Sequence, residues 1–211
     1  MSLILKKEVK TDCLIGVWKI TENINELLSI HKLNKCEQKY FDKLTNQNRK
    51  FEFITTRILL NKLLSDKKTI TYNKNGKPFL SDDSYKISIS HSKKMVTIIL
   101  SKDHEVAIDV ENVLSERVNK VSSKFLSEKE QKLIKSENKT TQLFIYWCAK
   151  ETLYKIFNKK NLNFKENIFI EPFNLKKEDS FVGKIITQEL TDKFSLNYFF
   201  LDNFVIVWCC K

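Results

Sequence analysis

The sequence predicts an α+β fold, and three observations carry that expectation. Residues 86–90 (KISIS) alternate apolar and polar side chains with period two, as a half-buried strand does, and similar short runs recur around them. Between about residues 33 and 64, and again between about 142 and 157, apolar residues return at three- and four-residue intervals, as on one face of a helix. With only 3 Gly and 2 Pro in 211 residues, there is no linker composition to separate independent domains.

The elements follow in order. Residues 13–20 (CLIGVWKI) read as a strand, and Thr21 is placed to cap a helix carrying Ile24, Leu27 and Leu28. From Leu33 to Leu64, Tyr40, Phe41 and Leu44 form one apolar stripe, and Phe53, Ile54, Leu60, Leu63 and Leu64 form another. A short strand at 69–72 (TITY) leads into a turn at 73–78 (NKNGKP). Runs 86–90, 95–100 and 105–111, separated by brief polar turns, read as an antiparallel meander. Two helical segments come next. The second opens with Ser127 followed three residues on by Glu130, a capping box. A long helix then runs to about Phe157, and strands at 167–170, 181–187, 194–201 and 203–210 complete the chain.

Composition narrows the partners. The net charge of +11, from 37 Lys and Arg against 26 Asp and Glu, favours an anionic ligand or partner, although a Lys-, Asn- and Ile-rich composition accounts for part of it. Five cysteines without a CxxC pair suggest neither a disulfide framework nor a zinc ribbon. The apolar run in MSLILKKEVK is too short for a signal peptide, and no run approaches the roughly 20 residues of a membrane span. A reducing cytosol is the expected location, with no membrane partner.

The residues that suggest chemistry fall in five places. Asp109 and Glu111 in VAIDVEN are two apart on an expected strand, so both point to one face. Glu151 in WCAKETLYK lies on an expected helix with Trp147, Tyr154 and Lys155 on its face and Lys150 beside it. Three carboxylates from two elements can hold a hard divalent cation, and nearby lysines suit a phosphate. Glu151–Lys155 also fits an ordinary i,i+4 ion pair, and Asp109 and Glu111 fit a solvated strand face. His91 follows the 86–90 strand among Ser90, Ser92, Lys93 and Lys94, where it could bond a phosphate or serve the core. Gly76-Lys77-Pro78 would present Lys77 from a defined turn. Arg49 and Arg57, in a chain that prefers Lys, stand eight apart on a helix, about two turns.

In this order, RKFEFITTR (Arg49, Arg57), GKP (76–78), ISISHS (Ser90, His91), VAIDVE (Asp109, Glu111) and WCAKETLYK (Lys150, Glu151, Lys155) resemble the 4′-phosphopantetheinyl transferase superfamily, of the type that activates surfactin synthetase. The resemblance spans residues 49–155. It implies two similar α+β halves, 1–104 and 105–211, in a pseudo-twofold arrangement forming one compact unit with the active site in the cleft between them. It implies coenzyme A as donor and Mg²⁺, or Mn²⁺ in its place, as cofactor. Asp109, Glu111 and Glu151 would ligate the metal. Lys150 and Lys155 would lie near the pyrophosphate. Arg49, Arg57, Lys77, Ser90 and His91 would hold the nucleotide end, with its 3′-phosphate. Glu151 and Lys155 would be catalytic, Glu151 as general base and Lys155 at the leaving group. The partner would be an acidic acyl or peptidyl carrier protein, with no nucleic acid, and the chain a monomer.

Two positions depart from the family pattern. Ala107 stands where glycine is common, a small change. The segment after the long helix, KKNLNF (159–164), lacks the glycines of a K-G-x-G-like loop, which bears on carrier preference. Two other classes compete: a metal-dependent nuclease, which would use the acids and the basic charge, and a non-catalytic nucleotide-binding module. The nuclease reading leaves GKP and ISISHS unexplained, and a binding module has no need of three acids.

Overall fold

The computed structural model describes residues 2–157 and 162–211 and is α+β. Residues 159–161 of the glycine-free KKNLNF segment lie outside the described residues. The chain divides into two compact units, Met1–Asp103 and His104–Lys211. No helix among the described residues is long and apolar enough to cross a membrane.

The first unit holds a four-stranded antiparallel sheet of order β1-β2-β6-β5, from β1 (Leu3–Lys10), β2 (Cys13–Lys19), β5 (Lys86–Ser92) and β6 (Met95–Ser101). A two-stranded ribbon pairs β3 (Ile70–Tyr72) with β4 (Pro78–Leu80). Three helices follow β2: α1 (Ile24–Ile30), α2 (Lys35–Lys43) and α3 (Gln47–Leu64). Each is capped by an asparagine, Asn23, Asn34 and Asn46 in turn, whose side chain accepts from backbone N–H groups of the first turn. The cap of α1 is therefore Asn23 rather than Thr21, because Asn23 closes a reciprocal box with Glu26. The Leu33–Leu64 region is two helices, because Asn46 caps a new start two residues after Leu44 ends α2.

Helix α3 packs on β2 and β6 through Ile54, Ile58, Leu59 and Leu63. A Cβ at Gly16 of β2 would fall 2.6 Å from Leu63 Cδ2, so glycine there permits the close approach. The strand β1 is absent from the sequence expectation, because LILKKEVK loses its apolar alternation after Leu5. It forms as an edge paired to β2, where exposed lysines are tolerated. Lys6 also reaches the C-terminus of α3, donating to Leu63 O at 2.9 Å and Lys62 O at 3.3 Å, as a cation suits a helix C-terminus.

The second unit holds a five-stranded antiparallel sheet of order β7-β11-β10-β9-β8: β7 (Val106–Asn112), β8 (Ile168–Ile170), β9 (Glu178–Ile186), β10 (Thr191–Leu201) and β11 (Phe204–Cys210). The expected three-strand meander is thus only a hairpin. β5 and β6 pair with each other, but β7 leaves them to pair with β11, starting from reciprocal backbone bonds between Glu105 and Lys211. Period-two alternation identifies a strand but carries no record of its partner.

Helices α4 (Arg117–Phe125) and α5 (Glu128–Leu133) precede the long α6 (Lys139–Phe157), which packs on β7 and β11. Its apolar residues, Leu143, Phe144, Ala149 and Leu153 among them, share one core with Val205, Val207, Leu196 and Ile170. Gly183 of β9 admits the end of Leu153, whose Cδ1 would lie 2.6 Å from a Cβ there.

Charge divides unevenly between the units. Residues 1–103 carry 20 Lys and Arg against 11 Asp and Glu, and residues 104–211 carry 17 against 15, so +9 of the net +11 belongs to the first.

Candidate active site

In the second unit, β7 and α6 bring the expected acids together. Ala107, Asp109 and Glu111 alternate onto the face of β7 that turns towards α6, and Ala107 joins the core against Ala149 and Leu153. Ala107 thus keeps the strand close to the helix while the two larger acids stand further along. Both are nearly enclosed, Asp109 6% and Glu111 8% exposed. Lys155 of α6 donates to Asp109 Oδ1 at 2.7 Å and to Ile108 O at 2.9 Å. Glu111 pairs with Arg117, at the start of α4.

Glu151 lies in the same electrostatic neighbourhood. Its carboxyl is pushed up to about 7, first by burial and then by the negative charge of Asp109 and Glu111, with Lys155 acting the other way. The Cys148 thiol, one turn earlier, is pushed well up by burial and by the same two acids. Cys148 and Arg117 are neighbours that sequence reading missed. Three- and four-residue spacing from Glu151 and Lys155 would have placed Cys148 on their face, whereas Arg117 carries no comparable signal.

The same spacing corrects the expected helix face. Cys148, Glu151 and Lys155 look towards β7. Trp147 and Tyr154 instead meet Phe164, at ring-centroid distances of 5.8 and 5.5 Å. Lys150 belongs with them. Its side chain is fully enclosed, and its ammonium donates to Glu130 Oε2 at 2.8 Å, Phe164 O at 2.7 Å and Ile168 O at 2.5 Å. Glu130 in turn accepts from Ser127 N and Ile170 N. All three ammonium protons are therefore committed to joining α6, the N-terminus of α5 and the 164–170 segment. Lys150 was expected beside a pyrophosphate. Adjacent helical residues diverge by about 100°, so it points away from Glu151.

Among the described residues, no three His, Cys, Asp or Glu side chains already stand in ligating geometry. Asp109 and Glu111 are instead drawn onto Lys155 and Arg117. The donor set nevertheless suits a hard cation: three clustered carboxylates supply only oxygen, and burial together with the charge of Asp109 and Glu111 raises Glu151 to about 7.

The first unit has its own cavity, of about 270 Å³, lined by Arg49, Glu52, Phe53, Tyr72, Gly76 and His91 among others. Arg49 and His91 are thus brought together, with Arg49 Nη1 at 3.1 Å from His91 Nε2. Gly76, at φ +82°, shapes the rim from a turn in which Asn73 accepts from Asn75 N and Lys77 N. Lys77 itself lies over the Phe79 ring, 5.9 Å from its centroid. Ser90 alternates to the face of β5 opposite His91 and lines no part of this cavity.

Arg57 is also turned aside. Its Nε donates to Glu37 Oε1 at 2.7 Å, Nη1 donates to Phe53 O at 3.0 Å, and its guanidinium lies 3.3 Å from the Phe53 ring centroid. Eight helical residues leave a rotation of about 80° and a rise of about 12 Å, so Arg49 and Arg57 do not face one point. Arg57 backs one wall of the cavity, Phe53, from behind.

The second unit is thus an α+β unit whose strand β7, at one end of the sheet, and long helix α6 gather carboxylates and a lysine, the donor set for a hard cation and an anionic ligand. Residues 105–209 match the family model described as the 4′-phosphopantetheinyl transferase superfamily. The chain belongs to that superfamily, and the matched segment contains Asp109, Glu111, Glu151 and Lys155. Phosphopantetheine transfer is the general activity of the superfamily, with coenzyme A as donor, typically a divalent metal, and carrier proteins as partners. No curated protein matches the chain.

Two outcomes are expected. Lys150→Ala leaves Glu130 as an uncompensated buried charge, and urea titration should show a loss of about 3–5 kcal/mol. The Glu130→Ala, Lys150→Ala double variant should lose less than the two single losses combined. The second outcome concerns pH. The carboxyl of Glu151 titrates higher in the folded protein than its ordinary value of 4.5. Its contribution to stability is therefore fully present below about 4.5 and is lost as pH rises through about 7. In chelator, thermal unfolding should show the second unit less stable at about pH 8 than at about pH 5, by up to about 3 kcal/mol from this group. Glu151→Gln should flatten that difference.

Proposed function

We propose that the chain is a Mg²⁺-dependent 4′-phosphopantetheinyl transferase of the surfactin-synthetase-activating type. It moves 4′-phosphopantetheine from coenzyme A to a serine of an acyl, aryl or peptidyl carrier protein and releases 3′,5′-ADP. The observation that carries this reading is the Asp109–Glu111–Glu151–Lys155 cluster on β7 and α6, inside the segment that matches the superfamily.

Division of labour follows the two units. In the second, Asp109, Glu111 and Glu151 would hold Mg²⁺, or Mn²⁺ in its place. The ion, when bound, supplies positive charge against the pyrophosphate and the charge that develops on transfer. Glu151, on the face of α6 that looks towards the acids of β7, is the group to accept the serine proton. The serine oxygen forms a bond to the β-phosphorus as the bond from that phosphorus to the bridging oxygen breaks, and the electron pair leaves with 3′,5′-ADP. Lys155, already placed to donate to anionic oxygen, stabilises that leaving group.

In the first unit, Arg49 and His91 in the cavity bind the 3′-phosphate, with Lys77 nearby on the rim turn. Arg57 serves from behind the wall and Lys150 from within the second unit's core, so neither is given a direct ligand contact. An acidic carrier protein suits the basic surface, most of whose excess lies in the first unit.

Mass spectrometry of apo carrier proteins incubated with the chain, coenzyme A and Mg²⁺ tests the reaction. A mass gain of one phosphopantetheine is expected, and its loss with chelator. Asp109→Ala and Glu151→Ala should each abolish transfer while circular dichroism stays unchanged; full transfer by either folded variant would sink the site assignment. His91→Ala should weaken coenzyme A more than dephospho-coenzyme A.

A further inference from the structure

Glu52 is a carboxylate inside the cavity proposed to bind a phosphate, where another negative charge is at first sight unwelcome. It lines the cavity from the second turn of α3, and its side chain is only 14% exposed. One oxygen, Oε2, accepts from Arg49 Nη1 at 3.0 Å, and the other, Oε1, lies 3.3 Å from His91 Nδ1. Arg49 Nη1 also meets His91 Nε2 at 3.1 Å. The three side chains close a ring.

That ring defines a protonation state. A guanidinium only donates, so in its contact with Arg49 the His91 Nε2 must accept and carries no proton. The imidazole proton is then on Nδ1, facing Glu52. His91 in this arrangement is neutral and offers the cavity no N–H from Nε2. For Nε2 to donate to a phosphate, it must take a proton from solvent and release Arg49, leaving an imidazolium with Nδ1–H on Glu52 and Nε2–H on the ligand. A carboxylate next to Nδ1 favours that charged form.

We propose that Glu52 is the positioning residue of the phosphate cavity. It holds Arg49 and His91 together before the ligand arrives and supplies the negative charge against which His91 takes up one proton when a phosphomonoester enters. This rests on the reading of the cavity as the 3′-phosphate site of coenzyme A. Tyr40 of α2 and Tyr72 of β3 line the cavity with His91, and the neighbouring turns carry Lys77, before β4, and Lys93 and Lys94, after β5. Of these groups an imidazole is the one that changes charge near neutral pH, so His91 is the group that takes up a proton, and the uptake is followed between about pH 7 and 9. The phosphomonoester is already a dianion in that range.

Isothermal titration calorimetry of the whole chain with coenzyme A and dephospho-coenzyme A tests this, between about pH 6 and 9 and in two buffers of different ionisation enthalpy. Wild type should take up protons on binding coenzyme A and none on binding dephospho-coenzyme A, and its preference for coenzyme A should fade as pH rises. His91→Ala should remove the uptake. Glu52→Gln keeps the shape and the acceptor but removes the charge. It should move the pH midpoint of the coenzyme A preference down by about one unit, with dephospho-coenzyme A affinity changed less than about twofold. A wild-type preference for coenzyme A whose midpoint and proton uptake are unchanged in Glu52→Gln would overturn the role of Glu52 and leave the cavity assignment standing. Equal affinity of wild type for the two ligands at every pH would overturn both.

Discussion

Each long helix of this chain must serve two masters, and the rotation of about 100° per residue decides which side chain goes where. In α6, Lys150 and Glu151 are adjacent, so they cannot face the same ligand. One enters the core to meet Glu130, and the other turns to the carboxylates of β7. The core contact supports the second face. Lys150 ties α6 to the start of α5 and to the 164–170 chain, so α6 is anchored on the side opposite the site. A buried ion pair adds little net stability over apolar packing, but it is strongly destabilising when half removed, which makes it a device for fixing one arrangement.

The same rotation governs α3. Arg49 reaches the cavity near the N-terminus of the helix, while Arg57, two turns on, is turned by about 80° into Glu37 and Phe53. In both units one cation is given to the scaffold and another stands in the candidate site. The cations beside the acids are paired as well: Lys155 rests on Asp109, Arg117 on Glu111, and Arg49 on Glu52 and His91. Clustered charges are thus partly neutralised before any ligand binds, which limits the repulsion stored in the free protein and leaves Glu151 as the carboxyl pushed towards neutrality.

For function, these arrangements make the two units chemically distinct. The second, almost wholly spanned by the superfamily match, holds the acid–lysine cluster suited to transfer. The first holds most of the excess positive charge and a cavity with a guanidinium, an imidazole and a carboxylate in one ring. The glycine at 76 matters to that cavity because the turn before Pro78 needs a positive φ, and Asn73 secures the turn by accepting two backbone N–H groups.

The sequence by itself determined the α+β class, most element positions and the acids that gather between β7 and α6. Period-two and period-three-to-four patterns are local, and Asp109, Glu111 and Glu151 are legible because strand alternation and helix spacing follow from backbone geometry alone. Local pattern could not say that β7 abandons β6 for β11, that β1 forms from a lysine-rich run by pairing with β2, or that Leu33–Leu64 restarts at Asn46. Nor could it assign Lys150, Arg57 and Ser90 to core or ligand. That choice depends on which carboxylate, carbonyl or ring the rest of the chain brings to each side of the element. Only the tertiary structure supplied Glu130 for Lys150, Glu37 and Phe53 for Arg57, and Glu52 for Arg49 and His91. A charged side chain near the core goes where its charge is met, and the group that meets it is here 3 to 42 residues away in sequence.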